Sequence, residues 1–438
     1  MGLFLSGRNR EPEAENLGNT EEESSVFRTA VLILILKPIP KSYILQRENT
    51  LTMLFDDISR NYKGTRGYTE PLYEYLNRSA RPSMERIRIL LKDWFSNFPS
   101  DAQNELRTRF RASDNIQHQS AFFEIYLHAL LSKLGFHIEI HPEIPGQPTH
   151  PEFLVLRDRK PCFYLEATLA SGPIEERAAD KRENVVYETI DKMNSSNFFI
   201  GIKVHGSPDT PPPGRKWRAF LEEWLSKLDP DAIGEKLKSD GLEDLPSTTL
   251  NHDGWNVTFQ AIPKSPKARG KQGIRPIGIR FFGFQECKED EWIRNAIREK
   301  ATKYGNLDLP YIIAINVLSI FSNDGHMVMD ALFGDEGITF YRLPTAGSDH
   351  KLTRASNGAF RGPHGPRNTR VSGVIICNDL LWGNIAKINP VLWHNPWASF
   401  PFNQDFWVLP QYVPNSDKSR VEPKSGRKAA DLFGLPEG

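Results

Sequence analysis

Apolar positions recur at helical spacing through 72–111, in the stretches EPLYEYLNRS, SMERIRILLKDWFSNF and DAQNELRTRF. In the second, Ile87, Leu90, Leu91 and Trp94 share a face, and Ser83 with Glu85 is a helix-start signal. A longer helix is expected from a cap at Ser113 or Asp114 to about Lys133, with Gly135 ending it. Phe123, Leu127, Leu130, Leu131 and Leu134 make its apolar stripe, and the spacing of Glu124 to Leu127 and Leu131 turns that acid toward the stripe. The period then changes to two. Strands are expected at 137–141, 152–157 and 162–169, a helix at 174–193 and a strand at 197–204 (NFFIGIKV), an α-β-β-β-α-β order. Past the breaking loop SPDTPPPGR (207–215) the pattern gives a helix at 216–228, strands at 255–262, 277–282 and 311–317, a helix at 289–304, and strands at 338–341 and 370–377.

Clean globular patterning begins at Met53, so 1–52 reads as disordered or as an upstream extension ahead of a start at that methionine. A helical lead-in (53–113), a core (114–206), an α/β extension or second lobe (207–410) and a loose basic tail (411–438) follow. The chain has 438 residues, 39% hydrophobic and 25% charged, the composition of a folded protein. Lys plus Arg and Asp plus Glu both total 55, so a nucleic-acid partner needs local basic patches rather than global charge. Cys162, Cys287 and Cys377 are too few and too scattered for a disulfide framework or a cysteine zinc site, and a reducing cytoplasm suits them. The run AVLILIL (30–36) is far shorter than the roughly 20 residues a membrane span takes, and its acidic flank is wrong for a secretory signal, so no membrane segment is expected.

Within 162–169, Cys162, Tyr164, Glu166 and Thr168 share one strand face, and Phe163, Leu165, Ala167 and Leu169 share the other. An unpaired charge at Glu166 would cost several kcal/mol in a central strand, so it needs a partner or a metal ion. Glu152 opens the preceding strand; if the two strands pair, both acids reach one end of the sheet, where Glu124 is a third candidate. Three carboxylates make an oxygen-only site, which suits Mg²⁺ or Mn²⁺ better than zinc. The plain alternative is a salt-bridged set, with Arg157 or Arg182 on Glu166, Glu152 an edge charge and Glu124 a flank residue.

With Pro151-Glu152 and Glu166-Ala167-Thr168 in that element order, the chain resembles the PD-(D/E)XK nuclease superfamily, the restriction-endonuclease-like fold, over roughly 114–206. The resemblance implies a Mg²⁺-dependent (or Mn²⁺-dependent) phosphodiesterase acting on nucleic acid, DNA first. It sets Glu152 at the motif's Asp, Glu166 at its acidic residue and Glu124 at the first-helix Glu that many members use as a further metal ligand. Thr168 stands where the motif keeps a lysine, and a threonine supplies no cation. Lys203 in NFFIGIKV and Lys181 on the preceding helix are the expected substitutes. Without either, the alternative is an inactive nuclease-fold protein that binds nucleic acid or acts as a scaffold. Two basic stretches, with Lys264, Lys267, Arg269 and Lys271 in one and Arg361, Arg367 and Arg370 in the other, suit phosphate contact or plain solvation. Trp217 among Arg215, Lys216 and Arg218 suits base stacking or a helix core, and the aromatics between Trp393 and Trp407 read as core. No phosphate-binding glycine loop and no G-x-S-x-G occurs.

Overall fold

The structure, a computed structural model, describes residues 53–436 apart from 241–243, 272–273, 283–287, 306, 320–324, 341–349 and 419. The expectations for 1–52 and for Cys287 lie outside the described residues. Helices α1 (Leu72–Arg78), α2 (Pro82–Ser96), α3 (Gln103–Phe110) and α4 (Asn115–Lys133) come first. Asp114 caps α4, its carboxylate accepting from the N–H groups of Ile116 and Gln117 at 2.9 and 3.2 Å. Gly135, at φ 84°, takes the left-handed turn that follows. Twelve residues of α4 are buried, more than one stripe accounts for, because the chain packs on it from several sides.

Strands β1 (His137–Ile140), β2 (Phe153–Arg157) and β3 (Lys160–Ala170) form an antiparallel meander. The chain then leaves that sheet. Helix α5 (Ile174–Ile190), strand β4 (Phe198–His205), helices α6 (Gly214–Ser226) and α7 (Pro230–Asp240), and strands β5 (Ser247–His252), β6 (Trp255–Pro263) and β7 (Ile277–Phe282) build an inserted lobe. Its four-stranded sheet runs β5-β6-β4-β7. The chain returns through α8 (Glu289–Ala301) to β8 (Tyr311–Val317), which pairs with β3 in parallel. There follow α9 (Gly325–Phe333), the pair β9 (Glu336–Phe340) and β10 (His350–Arg354), and the short hairpin β11 (Arg361–Gly362) and β12 (Gly365–Pro366). Strands β13 (Gly373–Asn378), β14 (Val391–His394), β15 (Gln411–Pro414) and β16 (Val421–Lys424) complete the large sheet, and α10 (Ala429–Phe433) ends the chain's regular structure.

The large sheet has eight strands in the order β1-β2-β3-β8-β13-β14-β15-β16. Every residue of β8 (YIIAINV) is buried, as a central strand covered on both faces requires. Phe163 and Leu165 of β3 pack into the core that includes α4, while Tyr164 packs with Ile297 of α8 and Ile313 of β8. The mixed α/β class expected from the pattern is present.

Two expectations are corrected. Residues 174–206 do not close the sheet of β1–β3: β4 pairs with β6 and β7 in the lobe, where α5, α6 and β4 share a separate apolar core. Of the two readings of Trp217 the helix-core one holds: it belongs to that core, stacked on Trp255 with centroids 5.3 Å apart. The terminal segment is also tied down. Phe433 lies 4.6 Å from Trp94 and 5.7 Å from Tyr126, because the apolar side chains near the end cover α2 and α4.

Candidate active site

The register of the meander aligns the acids. Phe153 is paired with Leu165 and Ile140 with Phe153; the His141 N–H donates to the Glu152 carbonyl at 3.0 Å, one step further. The same step places Glu152 opposite Glu166, and residues directly opposite in an antiparallel pair point to one face. His141, just after β1, and Glu152, just before β2, thus lie at the sheet end beside Glu166 of β3, with Thr168 on the same face of β3 as Glu166.

Glu166 is fully buried. Lys300 and Lys303 approach its Oε1 at 3.1 and 3.0 Å, and the Tyr304 hydroxyl donates to Oε2. All three donors come from the last turn of α8 and the residues after it, brought there by the α8–β8 return. Burial, helped by the Glu166 charge, pushes the Tyr304 hydroxyl far above its ordinary range, so it stays a donor. Glu124, 4% exposed, is gripped by Arg109, whose Nη1 and Nη2 donate to its two oxygens at 2.6 and 2.7 Å. Burial pushes the Glu124 carboxyl up, to about 7, against the pull of Arg109; Arg109 also forks onto Glu105 at 2.5 and 2.8 Å. Glu152 meets His141 Nε2 at 3.2 Å. Burial opposes ionisation of Glu152, but the His141 contact with the positive charges of Arg109 and Lys303 outweighs it, and its carboxyl titrates below the ordinary range. The hydrogen bond to Glu152 correspondingly raises His141.

These groups surround an open cleft of about 430 Å³ whose lining includes Arg109, Glu124, His141, Glu152, Thr168 and Lys300. The structure therefore brings Glu124, Glu152 and Thr168 together, with Glu166 beneath them and linked to the cleft by Lys300. It does not bring Lys203 or Lys181. Lys203 is exposed on β4 in the lobe sheet, paired across to Thr258, because β4 never joins β3. Lys181 is exposed on α5 and reaches Asp114 at 3.6 Å. The arginines considered for Glu166 are elsewhere: Arg157 lies 4.3 Å over the Phe136 ring, and Arg182 donates to the Pro208 carbonyl at 2.6 Å. Sequence reasoning missed Lys300, Lys303, Tyr304 and Arg109. For the first three a signal existed: the end of the expected 289–304 helix reads KATKY, which sets Lys300, Lys303 and Tyr304 at i, i+3 and i+4 on one face.

A divalent ion takes carboxylate oxygens that are open to it. Here both oxygens of Glu124 are on Arg109, both of Glu166 are on Lys300, Lys303 and Tyr304, and Glu152 has His141. Among the described residues no group of three or more His, Cys, Asp and Glu is arranged to hold a metal ion. As placed, the acids are matched to protein cations and do not fit Mg²⁺ or Mn²⁺.

The basic stretches divide. Lys264 is buried, its ammonium donating to the Ser195 carbonyl at 2.6 Å and standing 5.0 Å from the Phe199 ring centroid, so it is not offered to a phosphate. Arg269 pairs with Asp231 at 2.8 Å. Lys267, Lys271, Arg361, Arg367 and Arg370 are exposed. Among the described residues no helix is long and apolar enough to cross a membrane. Compared with protein-family models, curated proteins and solved structures, the chain finds no match.

Proposed function

We propose that the chain is a nucleic-acid phosphodiesterase, DNA first among substrates, with Glu152 and Lys300 as its working pair. One observation carries the reading. Strand β8 lies parallel beside β3 and α8 precedes it, so α4, β1, β2, β3, α8 and β8 run helix, three strands, helix and strand about one sheet, an order that supports the PD-(D/E)XK reading. The same α8–β8 return brings a lysine, Lys300, to Glu166 on the strand where Thr168 stands at the motif's lysine position.

The chemistry follows from the residues lining the cleft. Glu152, ionised below the ordinary range, accepts a proton from a water that attacks phosphorus. The bond from phosphorus to the leaving oxygen breaks, and Lys300 stabilises the charge and returns a proton to that oxygen. Thr168 hydrogen-bonds the water or a phosphate oxygen. Lys303, Tyr304 and Arg109 hold Glu166 and Glu124, which fixes Lys300 and the walls. A second reading, a nucleic-acid-binding or scaffold protein without cleavage, draws on the same contacts: each acid already has a protein cation.

Supercoiled plasmid, single-stranded DNA and RNA incubated with Mg²⁺, with Mn²⁺ or with EDTA separate the two. Cleavage is expected in the native protein, with a loss of about 10²-fold or more in Glu152→Gln and in Lys300→Ala at unchanged circular dichroism. Undiminished cleavage in both variants removes the assignment. Retarded bands on a gel without cleavage in any arm give the second reading.

A further inference from the structure

A cavity of about 700 Å³ lies among α9, the β11–β12 hairpin and the turn from β15 to β16. It shares no lining residue with the cleft at β3. Its wall has two characters. Phe333 and Trp397, with ring centroids 6.4 Å apart, give an aromatic side. Arg354, Arg361, Lys418 and Arg420 give a cationic side, and no acidic residue lines it.

Two of those cations are neutralised from outside the wall. Arg354 meets Asp330 and Glu336 at 2.7 and 2.8 Å, and Arg420 meets Glu422 at 2.9 Å. Arg361 and Lys418 have no ion pair among the described residues, so two of the four cations in the wall are without a carboxylate partner. The placement of Lys418 is enforced. It sits at φ 58°, a left-handed conformation that residues with a Cβ disfavour. The Asn415 carbonyl accepts from its N–H at 3.1 Å, and the Asn415 side chain accepts from the Arg420 N–H at 3.1 Å. Gly365, at φ 101°, turns the hairpin that carries Arg361.

We propose that this cavity binds a nucleotide, its terminal phosphate held by Arg361 and Lys418 and its base laid against Trp397. A phosphate monoester carries a charge of about −1.5 to −2 at neutral pH and offers oxygens to both unpaired cations. An aromatic wall suits any base, since every base has a π face. The volume falls in the range of small-ligand sites, roughly 300–1,000 Å³. The nucleotide is either free or the 5′-phosphorylated end of a strand. The site stands whether or not the β3 cleft cuts nucleic acid.

Calorimetric titration of the full chain in EDTA tests this apart from cleavage. The probes are the four nucleoside 5′-monophosphates, adenosine, ribose 5-phosphate, inorganic phosphate, and one oligodeoxynucleotide with and without a 5′ phosphate. The expected result is that a monophosphate or the phosphorylated oligonucleotide binds about tenfold or more tighter than its unphosphorylated form. A monophosphate response identifies a free nucleotide; a response to the oligonucleotide alone identifies a strand end. The double variant Arg361→Gln, Lys418→Gln, altered at two exposed side chains, is expected to lose that preference at an unchanged melting temperature. Trp397→Leu is expected to bring nucleotide affinity down to that of ribose 5-phosphate. The proposal is overturned if the native chain binds none of these probes, if the double variant keeps the preference, or if inorganic phosphate or ribose 5-phosphate binds as tightly as the nucleotides.

Discussion

At the β3 edge a fully buried Glu166 has three donors on its two oxygens, two of them charged; in the inserted lobe a buried Lys264 has one carbonyl and the face of Phe199. The sheets differ in the same sense. Strand β8 of the large sheet is buried along its whole length, whereas β6 of the lobe alternates buried and half-buried positions. The lobe buries a cation as a packing element. The large sheet gathers opposite charges on one strand end and leaves a cleft against them. Burial of a charge is therefore a weak pointer by itself, and its company and its access to a cleft carry the information.

Four experiments bear on this contrast. Trp217→Ala removes the ring stacked on Trp255 and is expected to cost about 3–5 kcal/mol in denaturant unfolding. Hydrogen exchange should show β4 and β6 losing protection while β8 keeps it; equal loss in both sheets would mean that the lobe is not a separate packing unit. Glu166→Ala strands two lysine charges and is expected to cost about 3 kcal/mol, near the low end for breaking a buried pair because Lys303 is 34% exposed. A cost under about 1 kcal/mol would show the lysines relaxing to water. Lys264→Met replaces a charge of similar shape that has one neutral acceptor and should stay within about 1 kcal/mol of native stability. The smallest effect is a titration. His141 should show an NMR midpoint above its ordinary 6.5, because Glu152 favours the imidazolium. The pair's contribution is complete between about pH 4.5 and 6.5; it is lost as pH rises through the raised His141 midpoint and as pH falls through the lowered Glu152 midpoint. Glu152→Gln should bring the midpoint down, and an unmoved midpoint would dissolve the pair.

Much of the framework was legible because periodicity is local. The start of α4 at Ser113 or Asp114 follows from residue type, and the inward turn of Glu124 and the strands at 277–282 and 311–317 from spacing. Glu152 and Glu166 were legible as a pair because two consecutive strands fix their own register. Lys300 was not, since the periodic pattern of β4 does not say which sheet it joins. NFFIGIKV fits the lobe as well as it would have fitted the place beside β3, and tertiary packing decided in favour of β6 and β7. The terminal helix was missed for a related reason. Its few apolar residues are meaningful only against Trp94 and Tyr126, which lie far back in the chain.

The inserted lobe also sets an order of events during synthesis. Lys303 follows Glu166 by 137 positions, and the entire lobe is made between them. Until α8 leaves the ribosome, Glu166 is a carboxylate without its counter-charges, and a strand holding it gains little from being sealed in a dry interior. The strand that pairs with the free edge of β3, β8, is available only after the lobe has been made. A chain stopped within the lobe would carry Glu124 with Arg109, and Glu152 and Glu166 but no Lys300, so the cleft would acquire its lysine only once the polypeptide has passed α8.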